Sequence, residues 1–341
     1  MTTIATNHCA RCGASPSTLL PCASCKVTFY CSDSHLEADY PAPHALVCDH
    51  IAEAELAFRA EDAKLRSSRG DFFTGTALTR SDFWSLPETQ EYVRACMALV
   101  YALAAVDSRA SVEARLKHCM GLLKLARTDK IGLRDEILPL MLRLGYDRRC
   151  YEFVRWWAIA MQKAQESGVR SGDMAYTLED VDMEGREGGT DVSEDLGLLY
   201  PSWENADVHH LVALALIKSR VLVTLRSAVR RESKATDFEQ VTVGMPASDI
   251  TARLPERHDP SMYSCVLSRL EKQVRVLYAE VRCANEHFWD MLSTATDAEL
   301  AQNISYPFEM GSKEEALLMT KSWTLVWGDL RLPQDSGTGL A

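Results

Sequence analysis

Six cysteines and two histidines near the N-terminus constrain this chain more than any other feature of it. They fall in four pairs: Cys9-x2-Cys12, Cys22-x2-Cys25, Cys31-x3-His35 and His44-x3-Cys48. A C-x2-C pair is a tight turn that lets two thiolates close on one tetrahedral ion. Residues four apart on a helix share a face, so Cys31/His35 and His44/Cys48 each point two donors the same way. Sulfur and imidazole in sets of four suit zinc, which needs neither redox chemistry nor a sixth ligand. Eight donors make two sites of four with no position left open, the arrangement of structural rather than catalytic zinc. Gly13, Pro16, Pro21, Pro41 and Pro43 keep the segment from forming one long element.

The rest of the cysteine count agrees. The chain has 11 cysteines, an odd number that fits a disulfide framework poorly. The N-terminal MTTIATNHCARC carries no basic region followed by an apolar stretch, so it does not read as a secretory signal. The expected setting is intracellular, nucleus or cytoplasm, where clustered thiols bind metal more often than they oxidise. No run of eighteen apolar residues is present, and no membrane association is expected.

The Cys/His segment resembles the MYND finger. The resemblance rests on the eight-donor spacing, on Phe29-Tyr30-Cys31-Ser32 after the second C-x2-C, and on the closing His44-x3-Cys48 preceded by prolines. In that family the pairs interleave. The resemblance therefore implies one zinc on Cys9, Cys12, Cys31 and His35 and a second on Cys22, Cys25, His44 and Cys48. This sequence departs from the pattern at His35, where a cysteine is usual, at Leu36 for glutamine and at Tyr40 for tryptophan. Pro41-Ala42-Pro43 adds a residue before His44. Imidazole is a good zinc donor, so His35 can complete the first site; the neighbouring His8 is the alternative. The family's fingers engage other proteins, several through proline-rich peptides, and that role is implied here.

Charge narrows the partners. The net charge is −11, and most of it lies between Asp173 and Asp195, where nine acidic residues face the single Arg186. Within residues 1–50 only Arg11 and Lys26 are basic, against Asp33, Glu37, Asp39 and Asp49. A finger that reads nucleic acid needs basic side chains toward phosphate, so none is expected as a partner.

Beyond the finger the pattern is helical. Residues 51–70 read as a helix ending at Gly70, and 71–87 as a linker with the aromatic anchors Phe72, Phe73, Phe83 and Trp84. Tyr92, Cys96, Leu99, Val100 and Leu103 mark one apolar helical face; Val112, Leu116, Cys119, Leu122, Leu123 and Ala126 mark another, with Ser111 as its N-cap. Further helices are expected near 132–144, interrupted at Pro139, and at 148–164, 206–234, 261–292 and 313–328. The best strand candidate is QVTVG at 240–244. Paired helices about forty residues apart resemble HEAT units. The stretch 127–157 resembles the tetratricopeptide-like helical region behind MYND fingers in many fungal proteins.

The expected architecture is thus mainly α: a cross-brace finger with two structural zinc ions over 8–50, a helix and linker over 51–87, and a helical domain over 88–332 with an acidic loop at 172–195. No GxxxxGK, HExxH or GxSxG is present. The expected function is a protein-interaction scaffold, with transcriptional regulation as the setting implied by the family. The competing reading is a MYND-associated lysine methyltransferase with a diverged catalytic domain, although no Asn-His-Ser core is present and helices stand where that fold needs strands.

Three smaller features complete the expectations. His209-His210 reads as a surface pair at a helix start, and Trp156-Trp157 as a core anchor. Cys96, Cys119 and Cys150 lie on apolar faces and read as core thiols. Arg226, Arg230 and Lys234 share a face of a basic helix over which the acidic loop could fold. Loss of Cys25 or Cys48 is expected to unfold the finger and spare the helices.

Overall fold

The computed structural model describes residues 4–40, 44–68, 72–73, 83–125, 129, 131–166, 191–201, 203, 206–233, 260–300, 302 and 309–327. These form twelve α-helices and one two-stranded ribbon. The strand expected at 240–244 and most of the acidic loop lie outside the described residues. The chain divides into two compact units, Ile4–Leu144 with Ile159–Gly185, and Gly145–Ala158 with Arg186–Ala341.

The first unit holds the finger. Strands β1 (Leu20–Pro21) and β2 (Phe29–Tyr30) pair antiparallel, and Cys9 bridges to Phe29 on the other side. Helix α1 (Asp33–Asp39) follows, capped by Ser32, whose hydroxyl accepts from the His35 N–H. Helix α2 then runs Ala45–Ser67. It carries Cys48 in its first turn and continues through the 51–70 helix without a break, so the boundary expected at residue 50 falls inside a helix. Phe83–Ser85 is a single 3-10 turn with Phe83 and Trp84 buried, as anchors should be. Helices α3 (Pro87–Leu103), α4 (Arg109–Leu125) and α5 (Leu133–Arg143) complete the unit, with α2 packed on α3, α3 on α4 and α4 on α5.

Two details depart from the sequence expectation. The N-cap of α4 is Ser108 rather than Ser111: its hydroxyl accepts from the Ser111 N–H, while the buried Ser111 hydroxyl donates to the Leu103 carbonyl. Helix α5 also runs through Pro139. The proline lacks one N–H, but its ring lies in the core between the buried Leu138 and Leu140, and tertiary packing outweighs the lost bond.

Finger and helices share one core. Cys9, Cys22, Cys25, Val27, Tyr30 and Cys48 form a continuous buried cluster with Ile51 and Ala54 of α2 and Leu99, Ala102 and Leu103 of α3. Backbone contacts seal the junction. The Ser108 hydroxyl donates to the Val27 carbonyl at 2.6 Å, the Ala110 N–H to Asn7 Oδ1 at 3.1 Å, and the Ala5 N–H to the Arg143 carbonyl at 2.7 Å. A forty-residue finger buries too little apolar surface to fold by itself. Here it borrows a wall from the helices.

The second unit is built on α8 (Val208–Ser233), whose residues Leu211–Ile217 are all buried. By length and composition Val208–Ser227 could cross a membrane, but most of it is buried within this unit, the signature of a core helix. It packs on α9 (Pro260–Ala284). The helix expected over 261–292 is two: Asn285 ends α9 and accepts from the His287 N–H, so that α10 (Phe288–Thr294) starts afresh. Its side-chain amide donates to Ser312 and Glu315, before and at the start of α12 (Lys313–Trp327). Short helices α7 (Leu196–Leu199) and α11 (Asp297–Leu300) fill in, and α6 (Asp147–Glu166) begins in this unit.

His209-His210 is not a surface pair. His210 is buried, and His209 Nδ1 accepts from the Trp323 indole at 3.1 Å. Trp157 is core, as are Cys96, Cys119 and Cys150. The end of the acidic segment meets α8 at Lys218, whose ammonium donates to the Val192 carbonyl and to Gln273 Oε1. Gln273 donates in turn to the Ser193 and Glu194 carbonyls, and the Tyr151 hydroxyl to Glu194. Arg226 instead pairs with Glu271 of α9 at 2.7 Å. Burial pushes the Lys218 ammonium down to about 8, against the pull of Glu194, Asp191 and Asp195.

Candidate metal centre

Both C-x2-C pairs adopt the same turn. The Gly13 N–H donates to the Cys9 carbonyl at 2.8 Å and the Lys26 N–H to the Cys22 carbonyl at 3.0 Å. Each turn is closed by a left-handed residue directly after the second cysteine, Gly13 at φ +73° and Lys26 at φ +63°. The turn folds the chain back so that both sulfurs of a pair face one point. Strand β2 lies between the two turns: the Ala10 N–H donates to the Phe29 carbonyl, and the Cys22 N–H to that of Thr28, both at 2.8 Å.

Cys31 leaves β2 and, one helical turn later on α1, His35 comes round beside it. Together with the first turn they make one cluster, Cys9, Cys12, Cys31 and His35. Cys12 Sγ lies 3.8 Å from Cys31 Sγ, and His35 Nδ1 lies 3.5 Å from Cys9 Sγ and 3.1 Å from Cys31 Sγ. The second turn meets His44 and Cys48 at the head of α2. Cys22 Sγ is 3.7 Å from Cys48 Sγ, and Cys25 Sγ is 3.9 Å from His44 Nε2. In each cluster all four donor atoms lie within 4.8 Å of one another.

These separations identify the chemistry. A zinc tetrahedron with bonds of about 2.3 Å to sulfur and about 2.0 Å to nitrogen has edges of roughly 3.8 and 3.5 Å. Thiols are weak hydrogen-bond donors and weak acceptors, so hydrogen bonding alone gives little reason for three sulfurs and an imidazole to converge twice. Each cluster fits one zinc ion and uses every donor it has. The first pairs with the third and the second with the fourth, the interleaving that the resemblance implied. His35, not His8, stands in the first cluster, and it faces in with Nδ1 where His44 uses Nε2.

Electrostatics prepare the sites. Burial disfavours the Cys9 thiolate, yet the N–H groups of Cys31, Cys12 and Arg11 and the His35 side chain outweigh it and bring the thiol down to about 6. At Cys22 burial is likewise outweighed, by His44 and the N–H groups of Cys25 and Ser24, giving about 7. Cys48 is pushed up to about 11, chiefly by burial and by neighbouring sulfurs. Burial and the neighbouring Cys9 and Cys12 also raise Cys31. A bound cation offsets what raises Cys31 and Cys48 and stabilises their thiolates.

The second cluster has a supporting layer. The buried Tyr30 donates to Asp39 Oδ2 at 2.8 Å, tying β2 to α1, and lies edge-on to the His44 ring at 5.9 Å. Spacing alone did not reveal Tyr30, Asp39, Ser32 or Lys26 as supports. Ser32 was the most readable of them, a serine three residues before a ligand in a helical pair being an N-cap signal.

Residues 9–48 match the family model of the MYND finger. No curated protein and no solved structure matches the chain. The MYND finger is a zinc-binding module that mediates protein–protein interactions.

Proposed function

Taking residues 9–48 as a MYND finger loaded with two zinc ions, we propose that this chain is an interaction scaffold and not an enzyme. It acts inside the cell, in the nucleus or cytoplasm, with transcriptional regulation as the setting suggested by the family. The observation that carries the proposal is the closure of both clusters. Four protein donors fill each site, so the metal has no open position for substrate or water and serves to hold a surface in shape.

A proline-rich peptide is the ligand class best suited to that surface. Tyr40 (48 % exposed) lies edge-on to the buried His44, and Leu46 (80 % exposed) follows two residues later; exposed aromatic and aliphatic side chains suit packed proline rings. The finger's acidic balance favours a peptide carrying basic residues.

Two measurements test this. Affinity capture with the full chain, using Cys48→Ser as control, should recover partners that depend on the folded unit containing the finger; identical recoveries by both would sink the scaffold reading. Anisotropy with a labelled proline-rich peptide should show binding that Tyr40→Ala weakens at least fivefold. Calorimetric titration with S-adenosylmethionine addresses the methyltransferase alternative, and saturable heat would overturn the non-enzymatic reading.

A further inference from the structure

The two clusters differ in one respect that bears on chemistry: access. Cys22, Cys25, His44 and Cys48 are all buried, while Cys12 is exposed and Cys31 and His35 are half-buried. Cys48 is fixed on a helix of 23 residues, and Ile51 and Ala54 of that helix are packed in the core with α3. Cys12 and Cys31 stand on a surface turn and at the end of a two-residue strand, with their sulfurs 3.8 Å apart. Reagents in solution reach the first pair directly. They reach the second cluster only when the shared core opens.

We propose that Cys12 and Cys31 form an oxidative modification site, a thiolate pair that hydrogen peroxide converts to a disulfide with loss of zinc from the first cluster alone. The inference rests on the zinc-loaded reading given above. Reactive cysteines combine thiolate character with exposure, and a zinc cluster supplies the thiolates while its surface position supplies the exposure. The Cys12 thiolate, the more exposed, attacks one peroxide oxygen. The S–O bond forms, the O–O bond breaks, and hydroxide leaves. The Cys31 thiolate then attacks the Cys12 sulfur; S–S forms, S–O breaks, and a second hydroxide leaves. Two electrons pass from the sulfurs to the peroxide, and two solvent protons turn the hydroxides to water. Cys9 and His35 remain as the only donors, too few to retain the ion. A dithiol reductant and zinc reverse the change.

The test uses the full zinc-loaded chain. Its zinc content is measured first, then hydrogen peroxide is added near stoichiometry. Zinc release is followed with a chromophoric chelator, and disulfides are mapped by non-reducing peptide mass spectrometry. Mapping is needed because Cys265 and Cys283 on α9 are also exposed. The expected result is two ions at the start, one released at least tenfold faster than the other, a Cys12–Cys31 disulfide, and unchanged helical signal. Cys12→His keeps four zinc donors and removes the pair, and it should resist peroxide at this site by at least tenfold. Equal release of both ions, or a first disulfide between Cys22 and Cys48, overturns the inference. A chain that holds no zinc on these cysteines overturns the zinc assignment together with it. The disulfide map of the unsubstituted chain decides the matter even if Cys12→His folds poorly.

Discussion

The first cluster takes its donors from a surface turn and the start of a seven-residue helix; the second takes two of its donors from the head of α2 and lies against α3. Both have three sulfurs and one imidazole, and both are wired by the same C-x2-C turn. What separates them is the company of the donors. Emptying the second cluster leaves three thiols and a histidine buried beside Tyr30, Ile51 and Leu99, whereas emptying the first leaves only Cys9 buried, Cys12, Cys31 and His35 being groups that water already reaches. A metal site of fixed composition can therefore be a keystone of a fold or an appendage of it, depending on what its ligands are packed against.

The largest expected effect follows from that difference. Cys48→Ser or Cys22→Ser should unfold the whole unit from Ile4 to Leu144 and with it empty both clusters, since the first cluster lies in the same unit. A structural zinc supplies on the order of 10 kcal/mol of folding free energy, comparable to the whole stability of a typical domain. Hydrogen exchange at Leu99 and Val100 of α3 reads the outcome. Protection there that survives the substitution would show that the helices stand without the finger, as the sequence alone suggested, and would break the comparison. Next in size is His35→Ala, which should take zinc from two ions to one while α2–α5 keep their exchange protection. His35→Cys should hold both ions, since either side chain is a competent donor.

The legibility of this molecule in its sequence divides along the same line. All eight donors were visible because ligand spacing is a local property: two residues between cysteines, three between the members of a helical pair. Their cross-bracing came from the family resemblance, not from the spacing, which fits other pairings equally well. The apolar faces of α3 and α4 were visible too, through Tyr92, Leu99, Val112 and Leu116. The junction was not. The contacts of Ser108 with Val27 and of Asn7 with Ala110 join residues some 81 and 103 positions apart, and nothing in a period of two or 3.6 marks them. The same holds for Asn285. One polar side chain bonded across to Glu315 split what periodicity read as a single helix.

Acid should separate the clusters. The emptied first cluster stays folded, and there Cys9 keeps its thiolate down to about pH 6. Zinc entering it above that pH displaces no proton from Cys9. The emptied second cluster unfolds on the argument above, so Cys22 returns from about 7 to the ordinary thiol value of roughly 8.5. Between pH 8 and 6 zinc thus displaces more of a proton from Cys22 at the second cluster than from Cys9 at the first. Both affinities fall as pH falls, the second more steeply. The sign for the protein itself is the same: the lowered Cys9 value favours the folded emptied finger above the ordinary thiol value and ceases to help as pH drops through about 6. Chelator competition at pH 8, 7 and 6, resolving the two equivalents, measures the slopes; parallel slopes would mean that both emptied clusters share one state.

The smallest effect compares the two turns residue by residue. Gly13 and Lys26 occupy equivalent left-handed positions, and left-handed backbone costs a residue with a Cβ about 1–2 kcal/mol. A Cβ built on Gly13 meets nothing within 4 Å, so Gly13→Ala isolates the backbone term and should destabilise the first cluster by about 1 kcal/mol. Lys26→Gly relieves the same strain but adds glycine's greater freedom in the unfolded chain, about 0.5–1 kcal/mol, so the net gain should be under about 1 kcal/mol. Because the second cluster is the keystone, that small gain should appear as a higher thermal midpoint of the whole Ile4–Leu144 unit. The Gly13→Ala loss should appear as faster zinc release from the first cluster, with the midpoint nearly unmoved. If the midpoint instead responds more to Gly13 than to Lys26, then the exposed cluster, and not the buried one, holds this unit together.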